Sequence, residues 1–286
     1  MVRGKGNNDR IYKSMKGEFM KQVKAIFFDV DATLYTHRIH DVPASTLQAL
    51  QTLKNKGYKI GIATSRCRYE TKHLPNVLKQ FPFDACIYDG GALIFTEDTC
   101  IRKISIDENI VQHIIQTCKD RIPVRYATYD HSYISQPCDT NILDMFFKLY
   151  LNYPMIKSYE GEDVYNILLY PRNKEEMQAL ITQYEDVVQI VEHSQYELEI
   201  TSKGLDKSNA ITYLCKQWNI DMQEIICFGD GANDVGMLKK AGIGVAMGNG
   251  NPKAKVAANL VCKDIEEDGI FDACITLGLF TKEDTI

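Results

Sequence analysis

At 286 residues, with 45% apolar and 25% charged residues, the chain has the composition of a globular protein with room for one large domain or two ordinary ones. A net charge of −5 with no basic cluster in the body of the chain argues against nucleic acid as the main partner, and no apolar run approaches the roughly 20 residues of a membrane-spanning helix. Nine cysteines, an odd number without a C-x-x-C pair, read as reduced thiols of a cytoplasmic protein and not as a zinc site.

Residues 1–20 are basic and polar, show neither a strand nor a helix pattern, and lack the apolar centre of a signal peptide. They are expected to be a disordered leader, with Met20 a candidate start. Lys24-Ala-Ile-Phe-Phe then forms an apolar strand that runs into Asp29-Val-Asp31-Ala-Thr33. A helix is expected over 43–56, with Leu47, Leu50 and Leu53 inward and Gly57 as its stop, followed by a buried strand over 59–64. A further helix over 69–80 leads to a third strand over 84–88, which ends in Asp89-Gly90-Gly91. Short apolar strands alternating with helices are the pattern of a parallel sheet covered by helices.

Near Leu93 the chain changes character. Helical patterns over 109–121, 142–151 and 174–184 alternate with strand patterns over 124–129, 133–136, 166–170, 187–192 and 196–201. Ten of the 16 tyrosines fall here, and they are read mainly as core and interface residues. Residues 93–198 are therefore taken as an inserted α+β domain. From Gly204 the simpler alternation resumes, with helices over 207–218, after Asn233 and from Lys253, and strands over 224–228, 244–247 and 259–262. The fold class is α/β, with 21–92 and 199–286 forming one sheet domain interrupted by the middle segment.

Asp29 and Asp31 lie at or just beyond a strand's carboxyl end, where open α/β sheets gather their ligands, and residues two apart in extended chain face the same way. This fits a phosphoryl-transfer nucleophile with its proton donor. Composition alone would produce such an Asp-x-Asp-x-Thr string in about one chain of this length in twenty, so a second constellation is needed. Gly229-Asp230-Gly-Ala-Asn233-Asp234 supplies it, again where an apolar strand meets a glycine-loosened turn. Magnesium takes hard oxygen ligands, and Asp29 with Asp230 on two parallel strand ends fits that demand. Thr64, closing the second strand, and Lys207, opening a helix, offer the hydroxyl and ammonium that a phosphoryl group needs. The glycines of 242–252 lack the Gly-Lys-Ser/Thr ending of a P-loop and read as a strand-to-helix connection; His37, His40 and Asp41 read as a solvated loop without metal-ligand spacing.

Taken in order, Asp29-Val-Asp31-Ala-Thr33, Thr64-Ser-Arg66, Lys207 and Gly229-Asp230-Gly-Ala-Asn233-Asp234 resemble the motifs of the haloacid dehalogenase-like hydrolases, most closely the Cof-type phosphatases with a large C2-type cap. The similarity spans about residues 22–280, including Gly244-Val-Ala-Met-Gly248 and Glu267-Asp268-Gly269-Ile270. It implies a Rossmann-like core and an inserted α+β cap with the active site between them. By the family pattern Asp29 attacks phosphorus to give an aspartyl-phosphate, and Asp31 protonates the leaving alcohol and then activates water. Mg2+ would be bound by the Asp29 carboxylate, the Asp31 backbone carbonyl and Asp230, with Asp234 helping to position it. Thr64, Ser65, Lys207 and Asn233 would hold the phosphoryl oxygens. The implied partner is a small-molecule phosphate ester, with sugar phosphates the leading class and neither nucleic acid nor membrane involved.

Three positions depart from the family pattern. Ala32 and Ser65 stand where glycine is usual, and Gly90 replaces an Asn near the hinge between core and cap. Two other readings remain open at this point. A phosphosugar mutase would use the same scaffold, and a phosphoacceptor signalling module also clusters Asp, Thr/Ser and Lys on a doubly wound sheet.

Overall fold

The sheet is built outward from β1 (Ala25–Phe28), four apolar residues with no exposed surface, as expected of a parallel strand covered on both faces. The computed structural model describes residues 22–148 and 151–285, so the expected leader lies outside the described residues. After β1 come α1 (Ala44–Asn55), β2 (Lys59–Ala63), α2 (Asn76–Lys79), β3 (Ala85–Tyr88), β4 (Leu93–Thr96) and β5 (Thr99–Lys103). The middle of the chain holds α3 (Glu108–Cys118), β6 (Val124–Ala127), β7 (Ser132–Ile134), α4 (Thr140–Lys148), β8 (Met155–Ile156), β9 (Asn166–Leu169), α5 (Lys174–Tyr184), β10 (Val188–Ser194) and β11 (Glu197–Ser202). The last part supplies α6 (Lys207–Gln217), β12 (Ile225–Gly229), α7 (Val235–Lys240), β13 (Ile243–Ala246), α8 (Pro252–Ala257), β14 (Leu260–Val261) and α9 (Gly269–Leu277).

The first sheet has the order β14-β13-β12-β1-β2-β3-β4-β5, parallel from β14 to β3 and antiparallel across β4 and β5. Leu50 and Leu53 of α1 and Ile270 and Cys274 of α9 cover one face, while Ile211 and Leu214 of α6 and Met237 of α7 cover the other. The second sheet, β10-β11-β9-β6-β7-β8, is antiparallel except between β7 and β8. Its apolar face packs Val124, Tyr126, Ile167, Leu169, Leu198 and Ile200 against α3 and α5.

Two expectations change. The helix expected over 69–80 is broken into a 3-10 turn, Glu70–His73, and the short α2. Pro75 is the cause: it has no N–H to donate and forces Leu74 into an extended conformation at φ −67°, ψ 154°. The inserted segment, expected to begin at residue 93, leaves the first sheet later. β4 and β5 extend that sheet as a hairpin, whose two turn residues, Glu97 and Asp98, both have positive φ (48° and 63°), the conformation a two-residue hairpin turn requires. β11 likewise runs to Ser202, past the expected return at 199.

Phe228 stacks on Phe28 with ring centroids 4.9 Å apart, and neither ring has exposed surface. Phe228→Ala is expected to cost roughly 3–5 kcal/mol of stability in urea unfolding, because the rigid strands on either side cannot close the void. A loss below roughly 1 kcal/mol would show that the sheet relaxes around it.

Candidate active site

β12, β1 and β2 are parallel neighbours, so the residues that follow them meet at one edge of the sheet. Asp29 follows β1, Thr64 follows β2 and Asp230 follows β12. Lys207 opens α6, whose start is fixed by Asp206 accepting a hydrogen bond from the Asn209 N–H. Its ammonium lies 2.6 Å from Asp29 Oδ1 and 2.7 Å from Asp234 Oδ1. The second Asp234 oxygen accepts the N–H groups of Asp230 (2.9 Å) and Gly231 (2.8 Å), so Asp234 holds the turn that presents Asp230. Thr33 Oγ1 donates to Asp230 Oδ1 at 3.0 Å, tying the two acidic loops together.

One oxygen each from Asp29, Asp230 and Asp234 lie within 4.8 Å of one another. Burial raises the Asp29 carboxyl well above the usual range, and the charges of Asp234, Asp230 and Asp31 add to this against the opposing pull of Lys207. Burial, and then the Asp234 charge, raise Asp230 to about 7. Burial would lower Lys207, but the charges of Asp234 and Asp29 outweigh it and the net shift is upward. Three carboxylates thus face one ammonium, and among the described residues no second cation pairs with them. Hard oxygen donors carrying surplus negative charge fit a divalent cation.

Asp31 points elsewhere. Its carboxylate receives a two-pronged hydrogen bond from Arg66, Nε to Oδ2 at 2.8 Å and Nη2 to Oδ1 at 2.7 Å, and lies 3.0 Å from His37 Nε2. Burial alone would raise its pKa, but the charge and hydrogen bonds of Arg66, joined by His37, outweigh it and hold the group well below the usual carboxylate range. His37 is therefore part of the site and not of a solvated loop. The turn between Asp31 and Thr33 passes through Ala32 at φ +56°, a left-handed conformation that explains why glycine is favoured there.

On the other side, Asn233 Nδ2 donates to Ser65 Oγ (2.8 Å), and Ser65 Oγ donates to Glu199 Oε2 (2.9 Å) on β11. Glu199 also accepts from Asn166 Nδ2 at 2.7 Å and pairs with His193 Nε2 at 2.7 Å. Arg125 of β6, with no exposed surface, bonds Asn166 Oδ1 at 2.9 Å and lies 2.5 Å from Glu70 Oε1. These contacts join the polar face of the second sheet to the carboxyl edge of the first. Between them lies a cavity of about 330 Å³. From the loops that follow β1, β2 and β12, Asp29, Asp31, Thr64, Ser65, Asp230 and Asn233 line it. A larger hollow of about 690 Å³ beside Leu74, Phe81 and Phe83 contains none of the four site aspartates, so size alone does not mark the site.

All eight residues singled out in the sequence therefore gather in one region. Six of them line the cavity, whereas Lys207 (1% exposed) and Asp234 (0%) stand behind Asp29. Arg66, His37, His193 and Glu199 have no role in the expectations drawn from the sequence. Only Arg66, two residues after Thr64, carried a local signal in its motif.

The model of the haloacid dehalogenase-like hydrolases matches residues 26–274, and the chain belongs to that family. YkrA of Bacillus subtilis is 29% identical over 260 residues, covering 90% of this chain and 98% of the relative. A second relative, the 5-amino-6-(5-phospho-D-ribitylamino)uracil phosphatase YitU of the same species, is 25% identical over 257 residues, covering 86% of this chain and 94% of the relative. The solved structure of the subclass IIB sugar phosphatase BT4131 superposes with a TM-score of 0.83 at 29% identity, covering 90% of this chain and all of that one. The protein is a phosphoric monoester hydrolase of the Cof type, built on a Rossmann-like core. Among the described residues no helix is long and apolar enough to cross a membrane.

Two outcomes follow from the electrostatics. Lys207→Met strands two buried carboxylates and is expected to cost roughly 3–5 kcal/mol at neutral pH in urea unfolding. That penalty should shrink as pH falls and Asp29, whose pKa burial raises, takes up a proton; a penalty independent of pH would contradict the pairing. For His193, burial lowers the pKa but the hydrogen bond and charge of Glu199 outweigh it, so the net shift is upward. A raised histidine stabilises fully below its unfolded value of about 6.5 and loses that contribution as pH rises through the folded value. His193→Gln is expected to flatten this part of the stability profile.

Proposed function

We propose that the protein is a magnesium-dependent phosphatase of small phosphate monoesters, with sugar phosphates the leading class, acting through an aspartyl-phosphate on Asp29. The observation that carries this reading is Asp29 at the end of the central strand, on the floor of a roofed cavity, with two further carboxylates within 4.8 Å. In the first step an Asp29 oxygen attacks phosphorus, the bond to the ester oxygen breaks, and the leaving alcohol takes a proton from Asp31. In the second, water attacks the aspartyl-phosphate and gives its proton to Asp31, releasing phosphate and free Asp29.

Magnesium would be held by the Asp29 carboxylate, the Asp31 backbone carbonyl and Asp230, with Asp234 positioning it. When bound, it supplies the positive charge that lets an anionic nucleophile approach an anionic ester. Thr64, Ser65 and Asn233 would receive the phosphoryl oxygens, and Lys207 would balance the charge behind Asp29. The Arg66 clamp keeps Asp31 ionised, the form needed to accept a proton from water. To act first as an acid Asp31 must gain a proton, and a phosphate dianion competing for Arg66 would raise its pKa in that direction. The sugar phosphatase BT4131 and YitU, whose named substrate carries phosphate on a ribityl chain, support a hydroxyl-rich leaving group.

Phosphate release from a panel of sugar and nucleotide phosphates tests the reading. Release is expected to vanish in Asp29→Asn and on chelation, and to return with magnesium. Asp31→Asn is expected to lower kcat by about 10²–10⁴-fold, the usual worth of a general acid-base group. Wild-type rates in either variant would remove that residue from its role.

A further inference from the structure

The polar face of the second sheet has more structure than roofing the cavity demands. Glu197 and Glu199 are two apart on β11 and so share a face, while Leu198 and Ile200 point into the apolar core behind. Across from them β10 carries a bulge: Glu192 pairs with Leu198 and Ser194 with Glu197, leaving His193 as the extra residue. A bulge re-aims the side chain it carries and recurs beside functional sites. Here His193 joins the cavity lining, with its side chain 23% exposed and Nε2 bonded to Glu199.

Glu199 is fixed from every side. Besides His193 it accepts from Asn166 and from Ser65, and the Ser65 hydroxyl accepts from Asn233. Gly90 leaves the space for it: a Cβ at that position would come within 2.6 Å of Glu199 Oε1. Two positions where the chain departs from the family pattern, Ser65 and Gly90, thus both adjust to this one carboxylate. A buried carboxylate must be hydrogen-bonded, and one of the three bonds of Glu199 orients the His193 ring.

The rest of the roof gives the chemistry of the ligand. Glu197 also lines the cavity and offers acceptors, and Tyr170, 3% exposed, lines it with a hydroxyl that has no hydrogen-bond partner among the described residues. Met145, Phe146 and Leu168 form an apolar wall beside them. A donor, acceptors and an apolar wall together suit a ring or chain whose hydroxyls both donate and accept. A second anionic group on the leaving alcohol would meet Glu197, while the cations nearby are already paired, Arg66 with Asp31 and Arg125 with Glu70.

We propose that His193, oriented by Glu199, is a specificity-determining residue which together with Glu197 binds the hydroxyl groups of a neutral, polyhydroxylated leaving alcohol. His193 makes the contact, and Glu199 is a positioning residue that links it to Ser65 and Asn233 in the phosphate pocket. The proposal rests on the phosphatase reading of the preceding subsection.

The test compares full-length protein on glucose 6-phosphate and ribose 5-phosphate with p-nitrophenyl phosphate, whose leaving group carries no further hydroxyl. Wild type is expected to prefer at least one sugar phosphate in kcat/KM. His193→Ala should lower kcat/KM on that ester about 10–100-fold, mainly through KM, while p-nitrophenyl phosphate changes less than about 3-fold. His193→Gln, which keeps a donor, should recover part of the loss, and covers the case of an unstable alanine variant. Glu199→Gln should shift the same ratio, with no further shift when added to His193→Ala. Equal losses on both kinds of ester, or a wild type without preference for either sugar phosphate, would overturn the proposal while leaving a phosphatase. Absence of release from every ester would instead overturn the phosphatase reading itself.

Discussion

Three carboxylates share one ammonium at the carboxyl edge of the first sheet, and the arrangement of the site follows from that imbalance. Lys207 satisfies one oxygen each of Asp29 and Asp234, and the remaining Asp234 oxygen is taken by the Asp230 and Gly231 N–H groups. What is left is negative charge on Asp29 and Asp230 in a site where burial already works against it. A divalent cation and an anionic ester answer opposite halves of that problem, which is why the same few residues suit both. Asp31 escapes it, because Arg66 gives it a counter-ion of its own. Two carboxylates two residues apart in sequence therefore occupy different electrostatic environments, the condition for nucleophile and proton carrier to be different groups.

The second sheet matters for what it does to water and to the leaving group. Its polar face is not solvated: Arg125, Asn166 and Glu199 have 0%, 0% and 2% of their surface exposed. Buried polar groups must find partners, and these find them across the gap, in Glu70 and Ser65 of the segment that follows β2. These contacts are thus specific in geometry, and beside them His193 and Glu197 line the cavity above Asp29.

Much of the core was legible in the sequence because its strands are short and continuously apolar. Parallel strands buried on both faces show this pattern, and the site residues sit where it breaks. Asp29, Thr64 and Asp230 could therefore be placed at strand ends without a structure. The helix expected over 69–80 fails at Pro75, which decides the backbone there. Residues 93–103 fall in the expected insertion yet form the β4–β5 hairpin of the first sheet, and nothing local in a sequence says which sheet such a segment will join. His193 and Glu199 were illegible for a related reason, whereas His37 sits in a turn that only the folded loop brings to Asp31. Alternating polar residues on a strand read as a solvated face, and only docking of the two sheets turns that face into a buried one. The bulge at His193 is a matter of register between two strands, which neither strand declares alone.

The account stands or falls on Asp29 as the atom that takes the phosphoryl group. Enzyme quenched in acid during turnover of p-nitrophenyl phosphate, then treated with borohydride to reduce acyl phosphates, reports this directly by peptide mass spectrometry. The account predicts reduction at Asp29 and at no other carboxylate of the site. Reduction at Asp31 or Asp230, or turnover with every aspartate left intact, would contradict it.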